Sequence, residues 1–391
     1  MSQGSGASAA SSQETGDALV QLAAKMVNVL RRCSTREERR PWLKTPLYWA
    51  ARTGELDLVK ALVESRADVD GAFGRFSGTS LHTAAENDYP AVLQERVRAG
   101  ADTEVTTTEG HTALHRAADW GREAAVKTLL GAGAAVHAKT VNEAEKTALH
   151  LACYRGSSEV VKVLLDSGAN VHVKVDGWDD KDDSPLHMAA AGGHAEVVRQ
   201  LLDAGATVDA RGDLGRTALH TAARNGHTGV VRQLAGAGAN VQATENTRSM
   251  PLHLAAYDGH VGAVQCLLGV GPEKEARDGD AYTPLHDAAR MGQSEAVKAL
   301  LEAGADNRAC SDHGCSALHL ACRYLEPDCA EVLLRFGAAR RALDNQGRKP
   351  AQVIGRGVSN NHRDPATRHA PLPCSGTPPR IVPGAAGRGW S

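Results

Sequence analysis

A four-residue signature recurs nine times along this 391-residue chain at nearly constant spacing. It reads Thr45-Pro46-Leu47-Tyr48, Thr79-Ser80-Leu81-His82, Thr112-Ala113-Leu114-His115 and Thr147-Ala148-Leu149-His150. It continues through Ser184-Pro185-Leu186-His187, Thr217-Ala218-Leu219-His220 and Met250-Pro251-Leu252-His253 to Thr283-Pro284-Leu285-His286 and Ser316-Ala317-Leu318-His319. The steps from Leu to Leu are 34, 33, 35, 37, 33, 33, 33 and 33. A fixed period of this length makes each unit one supersecondary element stacked on its like. A single unit cannot bury its own apolar face, so stability is a sum of unit and interface terms.

The residues within a unit predict two helices. Thr or Ser caps the first, and Pro at the next position suits a first turn that needs no N–H. Small pairs such as Ala117-Ala118, Ala222-Ala223 and Ala288-Ala289 let the first helices of neighbouring units approach closely. A Gly then ends the helix at Gly54, Gly121, Gly156, Gly226, Gly259 and Gly292. The second helix carries apolar residues three and four apart, as in Val160-Val161 with Leu164-Leu165 and Val197-Val198 with Leu201-Leu202, forming one buried stripe. Gly-Ala pairs such as Gly133-Ala134 and Gly304-Ala305 stop it before a short hairpin.

These residues resemble the T-P-L-H-x-A motif of ankyrin repeats, over Thr45 to Val353. The resemblance implies an all-α repeat fold, an ankyrin-repeat solenoid of helix–turn–helix units joined by β-hairpin loops. The expected layout is a disordered N-terminus over 1–16, a capping helix and linker over 17–44, and nine repeats over 45–345. A truncated C-terminal cap repeat over 346–354 and a disordered basic tail over 355–391 complete it. Leu19, Leu22, Met26, Val29 and Leu30 give the segment Asp17 to Arg32 an apolar face that can shield the first unit. Repeat two departs from the pattern. Asp88 stands for the helix-ending Gly, and Arg96 stands for the first Leu of the second helix's pair, which predicts the softest joint of the stack. Four extra residues before repeat five lengthen one hairpin into an acidic finger with Asp176, Asp179, Asp180, Asp182 and Asp183.

Composition narrows the function. A formal net charge of −2 gives no whole-chain reason to expect nucleic acid or an anionic membrane. No apolar run is long enough to cross a bilayer, and the start has no basic and apolar signal regions. Eight scattered Cys without a C-x-x-C pair point to reduced thiols in the cytoplasm, with the nucleus as the other reducing compartment. The tail carries Arg356, Arg363, Arg368, Arg380 and Arg388 against Asp364, unclustered and with Trp390 its one aromatic, so it reads as solvated.

No P-loop, H-E-x-x-H, G-x-S-x-G or Rossmann glycine fingerprint is present. Most of the 17 His occupy repeat positions: His82, His115, His150, His187, His220, His253, His286 and His319 hold the signature, and His194, His227 and His260 follow a Gly. The resemblance makes the first set structural hydrogen-bonding groups between turns. Cys310, His313, Cys315 and Cys322 lack regular zinc-ligand spacing. Cys322, like Cys153, falls on the second small position of its helix, where a buried small hydrophobe is expected. The acidic finger fails the calcium-loop pattern: counted from Asp176, position six is Lys181 and position twelve is His187. No catalytic residue, metal or cofactor is expected.

The resemblance also implies binding through the concave side, meaning the hairpin tips and the exposed ends of the inner helices. The two positions before each helix-ending Gly are Trp, Tyr or Arg in nine of 18 cases, far above the chain average, and these side chains dominate binding hot spots. The candidate contact residues are Arg52, Trp120, Tyr154, Arg155, Arg224, Tyr257, Tyr282, Arg290, Arg323 and Tyr324. Packing between units is the other role open to these side chains. The reading is a monomeric, non-catalytic adaptor or scaffold with a protein partner, no small-molecule substrate and no membrane insertion. A regulatory or substrate-recruiting subunit of an enzyme complex would have the same sequence features.

Overall fold

The computed structural model describes residues 46–65, 70–72, 78–141, 145–175 and 183–355. The expected capping helix at 17–32, the tail from 356 and most of the acidic finger lie outside the described residues. Inside them the chain is a file of helix pairs. Repeat one has an inner helix over 46–53 and an outer helix Leu56–Glu64. Repeat two has Ser80–Glu86 and Pro90–Arg98, and repeat three has Ala113–Asp119 and Glu123–Gly131. Repeats four and five follow as Ala148–Arg155 with Ser158–Asp166 and Pro185–Gly192 with Ala195–Asp203. Repeats six and seven are Ala218–Arg224 with Thr228–Gly236 and Pro251–Tyr257 with Val261–Gly269. Pro284–Arg290 with Ser294–Glu302 and Ala317–Tyr324 with Pro327–Arg335 make repeats eight and nine. A tenth unit opens with one 3-10 turn, Pro350–Gln352, packed on the inner helix of repeat nine.

Inner helices pack on inner helices of the neighbouring units and outer on outer. Among the described residues there is no strand; Lys139–Thr147 and Cys310–Ser316 form isolated antiparallel bridges at hairpin bases. The small pairs lie in the inner-helix seams, with Ala117, Ala118, Ala222 and Ala223 fully buried. The outer stripe is buried as well, at Val160, Val161, Leu164, Val197, Val198 and Leu201. Each such Val or Leu contributes about 1.5–3 kcal/mol relative to its exposed state.

The signature histidines explain how the units lock. In repeat three the backbone N–H of Thr112 donates to His115 Nδ1 at 3.2 Å. His115 Nε2 lies 3.0 Å from the carbonyl of Lys146, 31 residues on. A backbone N–H can only donate and a carbonyl can only accept, so Nδ1 is bare and Nε2 carries the proton. One neutral imidazole therefore closes the start of its own helix and ties it to the next hairpin. The same pair of bonds recurs at His82, His150, His187, His220, His286 and His319. In repeat seven His253 makes it from the backbone of Met250, which has no hydroxyl to add. Burial holds His82, His115, His187, His220, His253 and His286 down to a pKa of about 4, and His150 to about 3.

A second link joins the other end of the inner helices. Gly156 has φ 77°, and a Cβ there would collide with the imidazole of His194 in the next unit. His194 Nε2 donates to the carbonyl of Tyr154 at 2.9 Å, and His227 Nε2 to that of Ala191 at 2.9 Å. Along the hairpins, side chains of one unit cap backbone N–H groups of the next. Glu104 bonds Ala135 at 3.0 Å, Asp209 bonds Asn240 at 2.9 Å and Glu275 bonds Asp306 at 2.8 Å.

At repeat two the outcome is mixed. Asp88 adopts the left-handed φ of 60° in place of Gly, and its Oδ1 accepts the N–H of Ala125 in repeat three at 2.9 Å. The substitution thus adds a cap to the next outer helix. Arg96 is fully buried in the apolar stripe. Cys153 is buried as expected, but Cys322 is only half-buried. The unit that should cover it is reduced to the single turn at Pro350–Gln352.

Candidate protein-binding surface

The inner helices end in a row along one side of the stack, and nine of the ten candidate residues sit on those ends; Tyr282 lies on the hairpin just before the inner helix of repeat eight. Three are exposed: Arg52, Trp120 and Arg155. The other seven are half-buried, namely Tyr154, Arg224, Tyr257, Tyr282, Arg290, Arg323 and Tyr324. Trp120 terminates the inner helix of repeat three with 45% of its surface open; among the described residues it and Phe336 are the two aromatics in the set of exposed large hydrophobics. Arg52 stands at the far N-terminal end, its guanidinium 5.1 Å from the centre of the Trp49 ring.

Several of these side chains also bond within the molecule. Arg155 forks onto Asp119 of the preceding unit, beside Trp120 in sequence, at 2.8 and 3.2 Å. One unit back, Arg116 Nε reaches Glu86 Oε1 at 2.5 Å. Arg224 Nε lies 3.9 Å from Asp258, a looser pair. Burial lowers the Arg224 pKa and raises that of Asp258, so both charged forms are partly desolvated.

Repeats seven and eight bring three of the candidates together. The Arg290 guanidinium lies 5.4 Å from the Tyr257 ring centre and 5.1 Å from that of Tyr282. Its Nη2 donates to Asp287 Oδ1 at 3.1 Å. Asp287 is buried, which pushes its carboxyl up against the lowering influence of Arg290. This cluster has a clear packing role, whereas Trp120 has no comparable ring or ion-pair partner among the described residues. At the C-terminal end Arg323 lines a cavity of about 40 Å³ with Cys315, His319, Arg348 and Val353. Such a volume holds a few waters rather than a ligand.

Of the acidic finger, only Asp183 lies among the described residues. Asp183 Oδ1 accepts the N–H of Asp213 at 3.0 Å, so this carboxylate holds the tip turn of the next hairpin. Asp176, Asp179, Asp180 and Asp182 lie outside the described residues. One exposed residue escaped the sequence reading. Leu214 sits at the tip of the repeat-six hairpin, 39% exposed and in the left-handed region at φ 52°. The available clue was an apolar residue at a position that is polar in repeats three, seven, eight and nine: Glu109, Thr247, Asp280 and His313.

Among the described residues no group of three His, Cys, Asp or Glu is placed to hold a metal, and no helix is long and apolar enough to cross a membrane. Family models for ankyrin repeats match residues 81–175, 172–245 and 242–309, and a single-repeat model matches 42–72 and 313–345. This chain is an ankyrin-repeat protein.

As an ankyrin array it is a protein–protein interaction module, on a fold that is typically non-catalytic. Its relatives include protein phosphatase 1 regulatory subunit 12A of Mus musculus, 39% identical over 61 residues, 16% of this chain and 6% of that protein. The B-cell lymphoma 3 protein homolog of Mus musculus is 37% identical over 99 residues, 24% of this chain and 22% of its own length. Palmitoyltransferase AKR1 of Kluyveromyces lactis is 33% identical over 69 residues, 18% of this chain and 9% of the enzyme. The ankyrin chain thus spans a small part of each curated relative. The crystal structure of the human ASB11 ankyrin repeat domain superposes with a TM-score of 0.52 at 29% identity, covering 59% of this chain and 99% of that one.

Proposed function

We propose that this ankyrin protein is a monomeric, non-catalytic adaptor or scaffold that binds a protein partner along the concave face. The observation that carries the reading is Trp120, a large ring left 45% open at an inner-helix end, next to the Asp119–Arg155 fork and Tyr154. A solvated aromatic of this size forgoes roughly 2 kcal/mol of burial, which a partner can restore. The half-buried Tyr and Arg residues toward repeat nine supply a rim with both packing and contact roles. The six described cysteines are free thiols, in support of a reducing, cytoplasmic or nuclear setting.

The test is affinity purification with the wild type beside a Trp120→Ala/Tyr154→Ala variant, followed by titration of the recovered partner against Trp120→Ala alone. The single variant should bind at least about tenfold more weakly, about 1.4 kcal/mol, with its melting temperature nearly unchanged. A drop in melting temperature with binding intact would make Trp120 a packing residue and remove the basis for this surface.

The likeness to a phosphatase regulatory subunit favours a second reading, in which the array is the regulatory or substrate-recruiting subunit of an enzyme complex. A catalytic subunit recovered in stoichiometric amount with the wild type would select it.

A further inference from the structure

The last unit breaks a rule that the others keep. A terminal repeat faces solvent on its outer side and should be more polar than the interior ones. Here it is more apolar at three register positions. Leu325 stands where seven of the eight preceding units have Gly and one has Asp88, and it adopts a left-handed φ of 64° that is unfavourable for a branched apolar side chain. Phe336 stands where the others have Ala, Ser or Val, as at Ala303, Val270 and Ser167. Leu343 stands where Lys174, Arg211 and Arg277 occur. In the interior that position works by reaching the following hairpin: Lys174 Nζ bonds the Arg211 carbonyl and Arg211 Nη1 the Thr244 carbonyl, both at 2.8 Å.

Leu325, Phe336, Leu343 and Ile354 are 47, 41, 57 and 55% exposed, half of all the exposed large hydrophobics among the described residues. Polar surroundings differ along this end. Along the segment that follows Phe336 and surrounds Leu343 in sequence, the exposed Arg340, Arg341 and Lys349 form no ion pair with any described residue, while Asp344 is paired with Arg348 and Glu331 with Arg335. Glu326 and Asp328 lie at the opposite end of the outer helix, beside Leu325. The Phe336–Leu343 side is therefore apolar ground edged by uncompensated positive charge.

We infer that this end of the stack docks an acidic, apolar segment of a partner protein, through a surface separate from the concave face. Phe336 and Leu343 receive the apolar side chains, and Arg340, Arg341 and Lys349 receive the carboxylates. Charge decides against the two other candidate occupants. Residues 356–391 carry five Arg against one Asp, and a second copy would bring the same arginines face to face.

The experiment uses the full chain and two synthetic amphipathic helices, one with a Leu face and a Glu face, the other with Lys in place of Glu. Binding is read by fluorescence anisotropy and the oligomeric state by sedimentation. The Glu peptide should bind and the Lys peptide should not. Leu343→Ser should weaken binding about tenfold. Arg340→Glu with Arg341→Glu should reverse the preference, both variants keeping the wild-type melting temperature. Equal binding of the two peptides, or unchanged binding in both variants, overturns the proposal. So does a wild-type dimer dissolved by Leu343→Ser, or hydrogen exchange over 325–354 that speeds up when 356–391 are deleted.

Discussion

Arg155 of repeat four grips Asp119 of repeat three through two roughly parallel hydrogen bonds, Nε to Oδ1 at 2.8 Å and Nη2 to Oδ2 at 3.2 Å. The pair ties adjacent inner-helix ends and stiffens the platform that presents Trp120. Arg155 is 40% exposed and Asp119 22%, so solvent screens their attraction. Asp119→Asn should lower stability by less than about 1 kcal/mol. Urea unfolding of the variant beside the wild type checks this, and the gap should narrow in high salt. A loss of several kcal/mol would mean that the fork carries structural weight that its exposure argues against.

Arg290 and Arg52 look alike in sequence but should behave oppositely. Arg290 lies between two tyrosine rings and bonds the buried Asp287, whereas Arg52 is exposed over one tryptophan. Arg290→Ala leaves the buried Asp287 carboxyl, which burial pushes toward its neutral form, without its hydrogen-bond donor and should cost about 1–3 kcal/mol. Arg52→Ala should change stability by about 0.5 kcal/mol or less. Chemical denaturation of both variants separates packing from surface roles.

Acid should unfold the stack by protonating its histidines. Seven signature imidazoles have pKa values near 4 or lower in the folded chain, below the ordinary 6.5. Their contribution is complete above pH 6.5 and is lost progressively as pH falls toward 4, because the unfolded chain binds protons first. Asp287 acts in the opposite sense, since its raised carboxyl loses stability as pH climbs above 3.8, but it is one group against seven. Urea midpoints at about pH 7.5, 6 and 5 should fall with increasing steepness. His220→Asn should unfold at lower urea throughout and with a shallower pH slope. A flat profile from pH 7 to 5 would contradict the buried neutral state.

Repeat two should open first. Its outer helix buries the guanidinium of Arg96 where the other units place an apolar side chain, as at Leu164 and Leu201. Amide hydrogen exchange should be fastest over 80–98 within the first three repeats. Equal protection across repeats one to three would remove the idea.

The repeat period, the helix pairs and the buried stripes were readable from sequence because each depends on residue types at fixed offsets. The 33-residue step and the T-x-L-H signature suffice to place nearly every described helix. The binding row was readable only as positions. Arg224, Tyr257 and Arg290 occupy the anticipated inner-helix ends, yet how far each is covered depends on acids 34 or fewer residues away, such as Asp258 and Asp287, whose reach is a matter of side-chain geometry. Asp88 shows the same limit from the other side. It looked like a defect, but a short polar side chain can take the left-handed turn and cap a helix in the next unit. The left-handed backbone at Leu214 and Leu325 lay beyond sequence reasoning, because branched apolar residues rarely adopt it.

The notch above the helix-ending glycines is filled by varied side chains along the array: Tyr89 at Gly54, Ser157 at Gly121, His194, His227 and His260 at Gly156, Gly193 and Gly226, Gln293 at Gly259 and Glu326 at Gly292. A socket that tolerates a phenol, a hydroxyl, an imidazole, an amide and a carboxylate places little demand on which unit comes next. Such a lineage can lengthen by copying, or reorder its modules by recombination, without refitting the joint, so long as the glycine itself is kept. Diversity is then free to accumulate on the outward-facing ends, where new recognition can be explored without endangering the scaffold.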